Sequence, residues 1–142
     1  MSETLAEFIA RHECKGGKPN LKMYKDSLGI ETIGYGHNLR DKPITKKAAD
    51  QIFLDDLTDV QLEVTHAFPW YADLSTPRQW VILDMCFNLG LAGLKGFPKF
   101  LKAVELGDYE TAATEMMDSR WFGQVKGRGI ELVQMMRGSE YA

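Results

Sequence analysis

From Trp80 to Leu89 the chain reads WVILDMCFNL, apolar on nearly every face of a helix. A helix with so little polar surface cannot lie on the outside of a protein; it has to be enclosed by neighbours. That requirement alone predicts a lobe of helices packed around a central one, and the sequence beyond Pro69 reads as helical throughout. Thr76 followed by Pro77 marks the start of the central helix, because proline suits a first helical turn. Gly90, Gly93 and Gly96 break it. Shorter helices are predicted over 98–106, 108–118 and 128–136, with Asp108 after Gly107 as a cap. Met116, Met117, Met135 and Met136 read as core filling, since flexible thioethers fit irregular gaps, and Cys86 reads as a buried free thiol.

Upstream, Thr45 caps a helix predicted to run to about Phe68, where Pro69 stops it. At ~1.5 Å per residue it would span roughly 35 Å, enough to bridge two lobes. Its apolar stripe is Ala49, Ile52, Phe53, Leu57, Val60 and Val64, and Asp56 falls inside that stripe. A carboxylate on a buried face needs a partner, and His37 is the candidate for a structural pair. At the beginning, Ser2 can cap a helix whose apolar face, Leu5, Phe8 and Ile9, leads on to His12 and Glu13 before Gly16 and Gly17 stop it. Two-residue alternation occurs between these helices. Leu21 to Tyr24 and Glu31 to Tyr35 read as strands, joined by a turn around Asp26 to Gly29. With Ile33 and Tyr35 turned inward, Thr32, Gly34 and Gly36 would face a ligand, the glycines leaving room for it. The expected class is α+β in two lobes. A small β-hairpin lobe covers 13–60, and a larger all-helical lobe is built from 1–12 and 61–142.

A chain of 142 residues suits one such domain and can bury a real core. Its net charge of −3 gives no general reason to bind nucleic acid. Lys15, Lys18, Lys22 and Lys25 surround the hairpin, either as a rim attracting an anionic polymer or as a solvated face. Two cysteines are too few for a disulfide framework. MSETLAEFIA has neither a charged leader nor a long apolar core, so no signal peptide is expected. No apolar run approaches the ~20 residues of a membrane span.

The chemistry concentrates in Glu13 to Leu39. Glu13 ends a helix at the tail of its apolar face, and burial at the negative end of a helix dipole is a setting that suits a proton donor. Asp26 lies in a turn among lysines. Two carboxylates flanking a cleft, one donating a proton and one activating water, are what glycosidic bond cleavage requires. Each residue also has a plainer role open to it, Glu13 as an exposed helix end and Asp26 as a turn former.

The run YKDSLGIETIGYGHNL resembles the strand–turn–strand of the phage lysozyme (endolysin) family of the T-even type. RHE upstream resembles the end of that family's first helix. FNLG, GFPKFL and SRWFGQ with the later Arg128 follow in the family's order and spacing, so the similarity covers nearly the whole chain. The resemblance implies a lysozyme-like two-lobed fold. It implies Glu13 as proton donor, Asp26 as second catalytic carboxylate and Thr32 beside the attacking water. Arg128 would approach the glutamate from the other lobe. Gly36, Asn38, Phe87 and Asn88 fall at saccharide-lining positions, as do Phe100 and Glu115, whose types differ from the usual polar pair. His37 and Asp56 match a structural ion pair. Two departures stand out: Cys14 replaces a usual glycine ahead of the extra residues KGGKPN, and the segment from His37 to Thr45 is shorter by about one helix.

What this implies is a peptidoglycan-degrading muramidase. It would cleave the β-1,4 bond between N-acetylmuramic acid and N-acetylglucosamine, with inversion, during host cell lysis. No metal or organic cofactor is called for. The partner is bacterial cell-wall peptidoglycan, with no nucleic acid, no stable membrane insertion and a monomeric chain. Synthesis would be in the host cytoplasm, with action in the periplasm after holin-type release. An inactive wall-binding phage module and a lytic transglycosylase are the alternatives.

Overall fold

A computed structural model of the chain describes residues 2–138. It divides into two compact units, Met1–Gln51 and Ile52–Ala142. The first holds a helix and a three-stranded sheet and the second is all helical, which is the two-lobed α+β architecture expected.

In the first unit α1 spans Leu5–Glu13. Its cap is Thr4, not Ser2. Thr4 Oγ1 accepts from the Glu7 amide at 3.1 Å, and the Glu7 carboxylate accepts from the Thr4 amide at 3.2 Å. This reciprocal capping box is written in the sequence as T-x-x-E. The predicted apolar face is present but uncovered: α1 buries no residue, and Leu5, Phe8 and Ile9 are all exposed. One short helix and three short strands offer too little surface to enclose it. Strands β1 (Asn20–Lys25), β2 (Glu31–Gly34) and β3 (His37–Asn38) form an antiparallel sheet in that order. Tyr24 pairs with Thr32 and Lys25 with Glu31, and an irregularity between Asn20 and Tyr24 absorbs extra residues of β1.

The long helix α2 (Lys46–Ala67) passes from the first unit into the second, capped by Thr45, whose Oγ1 accepts from the Ala48 amide at 3.1 Å. Of its predicted buried stripe only Val60 and Val64 are enclosed; Ala49, Ile52, Phe53 and Asp56 are exposed. Core formation by this helix is confined to its last turns, where the other helices of the second unit reach it. The central helix is α3 (Thr76–Lys95), and Val81, Ile82, Met85, Cys86 and Leu94 on it are fully enclosed. Gly90 (φ 75°, ψ 163°) breaks the helix in a conformation that only glycine adopts readily. Trp80 and Phe87 nevertheless stay exposed, so the neighbours surround α3 less completely than its composition suggests.

Around it pack α4 (Pro98–Glu105), α5 (Tyr109–Met117), α6 (Arg120–Val125) and α7 (Gly127–Arg137). Asp108 caps α5 by accepting from the Thr111 amide at 3.2 Å, and hydrogen bonding from the Thr111 side chain first, then from its amide, holds its carboxyl below the usual range. Met85, Met116, Met135 and Met136 fill the core, while Met117 lies at the surface. Cys86 is a buried free thiol, as expected, and desolvation pushes its pKa up.

Arg78 closes this unit. Its Nε donates to the Met136 carbonyl at 2.7 Å and its Nη2 to the Arg137 carbonyl at 2.8 Å, while its guanidinium lies 3.6 Å from the centre of the Tyr109 ring. One side chain thus satisfies two carbonyls at the end of α7 and ties α3 to α5. Arg78→Ala is expected to lower the unfolding free energy by about 2 kcal/mol, the scale of charged hydrogen bonds plus a cation–π contact. Urea denaturation checks it; an unchanged midpoint would rule out this clasp.

Candidate active site

The hairpin residues are held by short, local bonds. Asp26, at the end of β1, uses Oδ1 to accept from the amides of Leu28 (2.8 Å) and Ile30 (2.9 Å). Its own amide donates to the Ile30 carbonyl at 3.0 Å. That carbonyl also accepts from Thr32 Oγ1 at 2.8 Å. Asp26 and Thr32 therefore both bond to the same residue, Ile30. Arg40 braces the turn, donating to the Gly29 carbonyl at 2.8 Å and to Glu31 at 3.2 Å. Glu31 is held below the usual carboxylate range by its backbone hydrogen bond first, then by Arg40 and, more weakly, by Lys25.

Thr32 is the buried polar residue of the described chain, 4% exposed, whereas Tyr35 is 52% exposed. Thr32 therefore faces inward and Tyr35 outward, against the expected facing, while Ile33 is half-buried. Gly34 ends β2 with φ +69°. Gly36 follows with φ +75°. At that point the backbone meets Glu13: an alanine Cβ at Gly36 would stand 2.6 Å from Glu13 Oε2 and 3.3 Å from its Cδ. The Glu13 carboxylate rests on the glycine turn, exposed rather than sealed in a buried face. The helix end and the hairpin are joined again at Cys14, whose Sγ–H donates to the Gly34 carbonyl at 3.3 Å. The extra residues form a short helical turn, Lys15–Gly17, packed against α1, and Gly16 and Gly17 both take positive φ.

Two other hairpin candidates are committed to local structure. His37 Nε2 donates to the Lys42 carbonyl at 2.9 Å. Asn38 pairs with Thr32 across the sheet and exchanges bonds with Asp41 in both directions, each at 3.0 Å.

The second unit holds the remaining candidates. Phe87 is partly exposed and meets Phe53 edge-on at 5.7 Å between ring centres. Asn88 is exposed, and its Oδ1 accepts from Trp121 Nε1 at 3.1 Å. The buried Trp121 is a positioning partner that sequence reasoning passed over, although it lies in the SRWFGQ block. Arg128 is paired with Asp84, both Nε and Nη2 lying 2.7 Å from Oδ1. Phe87, Trp80, Asp84 and Arg128 line one concavity of about 460 Å³. Glu115 borders another of about 350 Å³ with Lys99 and Arg120. Phe100 is 1% exposed and is core, which corrects its expected place at a saccharide. A phenyl ring packed among other apolar side chains has neither the surface nor the polar group for a sugar hydroxyl.

The phage lysozyme family profile matches residues 16–137. The chain is 27% identical, over 94% of its length, to the pre-baseplate central spike protein Gp5 of Enterobacteria phage T4, of which it spans only 27%. It is also 26% and 24% identical to probable T4-type lysozymes 1 and 2 of Dictyostelium discoideum, covering 82% and 81% of this chain and 85% of each relative. With the hairpin, the glycine turn and the helical unit in place, the family match completes the identification: the chain belongs to the phage lysozyme family, a family of glycoside hydrolases.

Proposed function

We propose that this lysozyme hydrolyses the β-1,4 bond between N-acetylmuramic acid and N-acetylglucosamine in peptidoglycan, with Glu13 as proton donor. Asp26 and Thr32 hold and deprotonate the attacking water. The observation that carries this reading is the hairpin itself: Glu13 rests on its glycine turn, and Asp26 and Thr32 both bond to Ile30. An acid at a fixed place and a water-holding pair at another are the two parts the reaction needs. The outcome is inversion, which calls for carboxyls ~6.5–9.5 Å apart. Gly36 and Asn38 in the first unit, and Phe87, Asn88, Glu115 and Arg128 in the second, are the residues offered to the sugar chain. The enzyme works as a monomer, made in the host cytoplasm and released to the periplasm by a holin-type lesion.

The test is digestion of purified peptidoglycan, followed by turbidity and by mass spectrometry of the fragments. Clearing with new reducing muramic acid ends is expected. Anhydro-muramic ends would make the enzyme a transglycosylase instead. Binding without clearing would leave only a wall-binding module. NMR of the first product formed reads the stereochemistry, and an α-anomer is expected for inversion of a β bond.

A further inference from the structure

Glu13 is the last residue of α1, and helix ends fray. Something must hold its backbone against the hairpin. The loop that follows folds back along α1, its Gly17 amide donating to the Cys14 carbonyl at 2.9 Å. The glycine turn cannot hold Glu13 alone, because Gly34 and Gly36 have no Cβ to restrict them, and glycine is the most conformationally free residue. Cys14 stands where these two loose ends meet. Its thiol is 5% exposed, and Sγ–H donates to the Gly34 carbonyl, two residues before the glycine on which the Glu13 carboxylate rests. Its amide meanwhile donates to the Ala10 carbonyl at 2.8 Å, completing the last turn of α1. Cys14 is bonded to the helix through its backbone and to the hairpin through its side chain.

We propose that Cys14 is a positioning residue for the general acid, fixing the register between the end of α1 and the Gly34–Gly36 turn so that Glu13 is held where it donates its proton. The proposal rests on the reading of Glu13 as that acid. A thiol that merely filled space would contribute to stability and leave turnover per folded molecule alone. A positioning group contributes to turnover with little effect on substrate binding, since small displacements of a catalytic group are costly.

The experiment compares Cys14→Ala, Cys14→Ser and Glu13→Gln with the wild type on soluble glycan strands, reading kcat and KM, with thermal melts setting the folded fraction. Cys14→Ala is expected to lower kcat about ten-fold with KM within about two-fold. Cys14→Ser, which keeps a donor for the Gly34 carbonyl, should restore kcat to within about three-fold of wild type. Should Cys14→Ala melt below the assay temperature, Cys14→Val takes its place, filling the site without a donor. Wild-type kcat in the donor-less variant, or a serine variant no better than alanine, overturns the role of Cys14 while an inactive Glu13→Gln leaves the acid in place. If Glu13→Gln itself turns over normally, the acid assignment fails and this proposal fails with it.

Discussion

Glu13→Gln is expected to lower the release of reducing ends from peptidoglycan by about three orders of magnitude, with the melting temperature unchanged. Glutamine keeps the shape of the side chain and can still lie on the Gly36 turn, but its amide cannot deliver a proton to the leaving sugar oxygen. General acid catalysis by one positioned group is worth ~10²–10⁴-fold, and departure of an alkoxide from an unactivated glycoside lies towards the upper end. Stability should be indifferent, because Glu13 is exposed and substitutions at such sites stay within about 0.5 kcal/mol. The two readouts together separate chemistry from folding. A parallel loss of activity and stability would mean that Glu13 holds the helix end and that another group protonates the sugar.

The hairpin was legible because its signals are local. The strand segments, the turn at Asp26 and the glycines that follow are properties of neighbouring residues, and they appear where expected, although the facing of Thr32 and Tyr35 does not. The caps at Thr45 and Asp108 were legible for the same reason. Helix α6 was not, because six residues capped by Ser119 and containing Gly123 show too little periodicity to stand out. Strand β3 is two residues long and carries no pattern at all. The errors about burial have a different origin. An apolar stripe shows which face would be buried, but only the neighbouring elements decide whether it is, as the exposed Phe8 and Ile52 show against the enclosed Val64. Phe100 was misplaced because a family position was followed although its side chain had changed character. The bond between Trp121 and Asn88 joins residues 33 apart, and no local pattern announces it.

Gly36→Ala should lower kcat by about a hundred-fold, a loss as great as that expected from displacing a catalytic group by roughly an ångström. Two effects act together. Gly36 has φ +75°, where a Cβ clashes with its own backbone, so the turn has to distort to accept alanine. The new methyl would also stand 2.6 Å from Glu13 Oε2, well inside van der Waals contact, so the carboxylate must move. The side chain is flexible enough to swing away, and the protein should still fold, with a modest fall in melting temperature from the strained turn. The acid would remain present but misdirected. Gly29 provides the control, since it has a similar φ of +77° with no atom within 4 Å of an added Cβ. Gly29→Ala should therefore carry the backbone strain without the loss of turnover. If both alanine variants lose kcat equally, strain in the hairpin explains the effect and the seat of Glu13 on Gly36 does not; if only Gly36→Ala does, the glycine is required to make room for the acid.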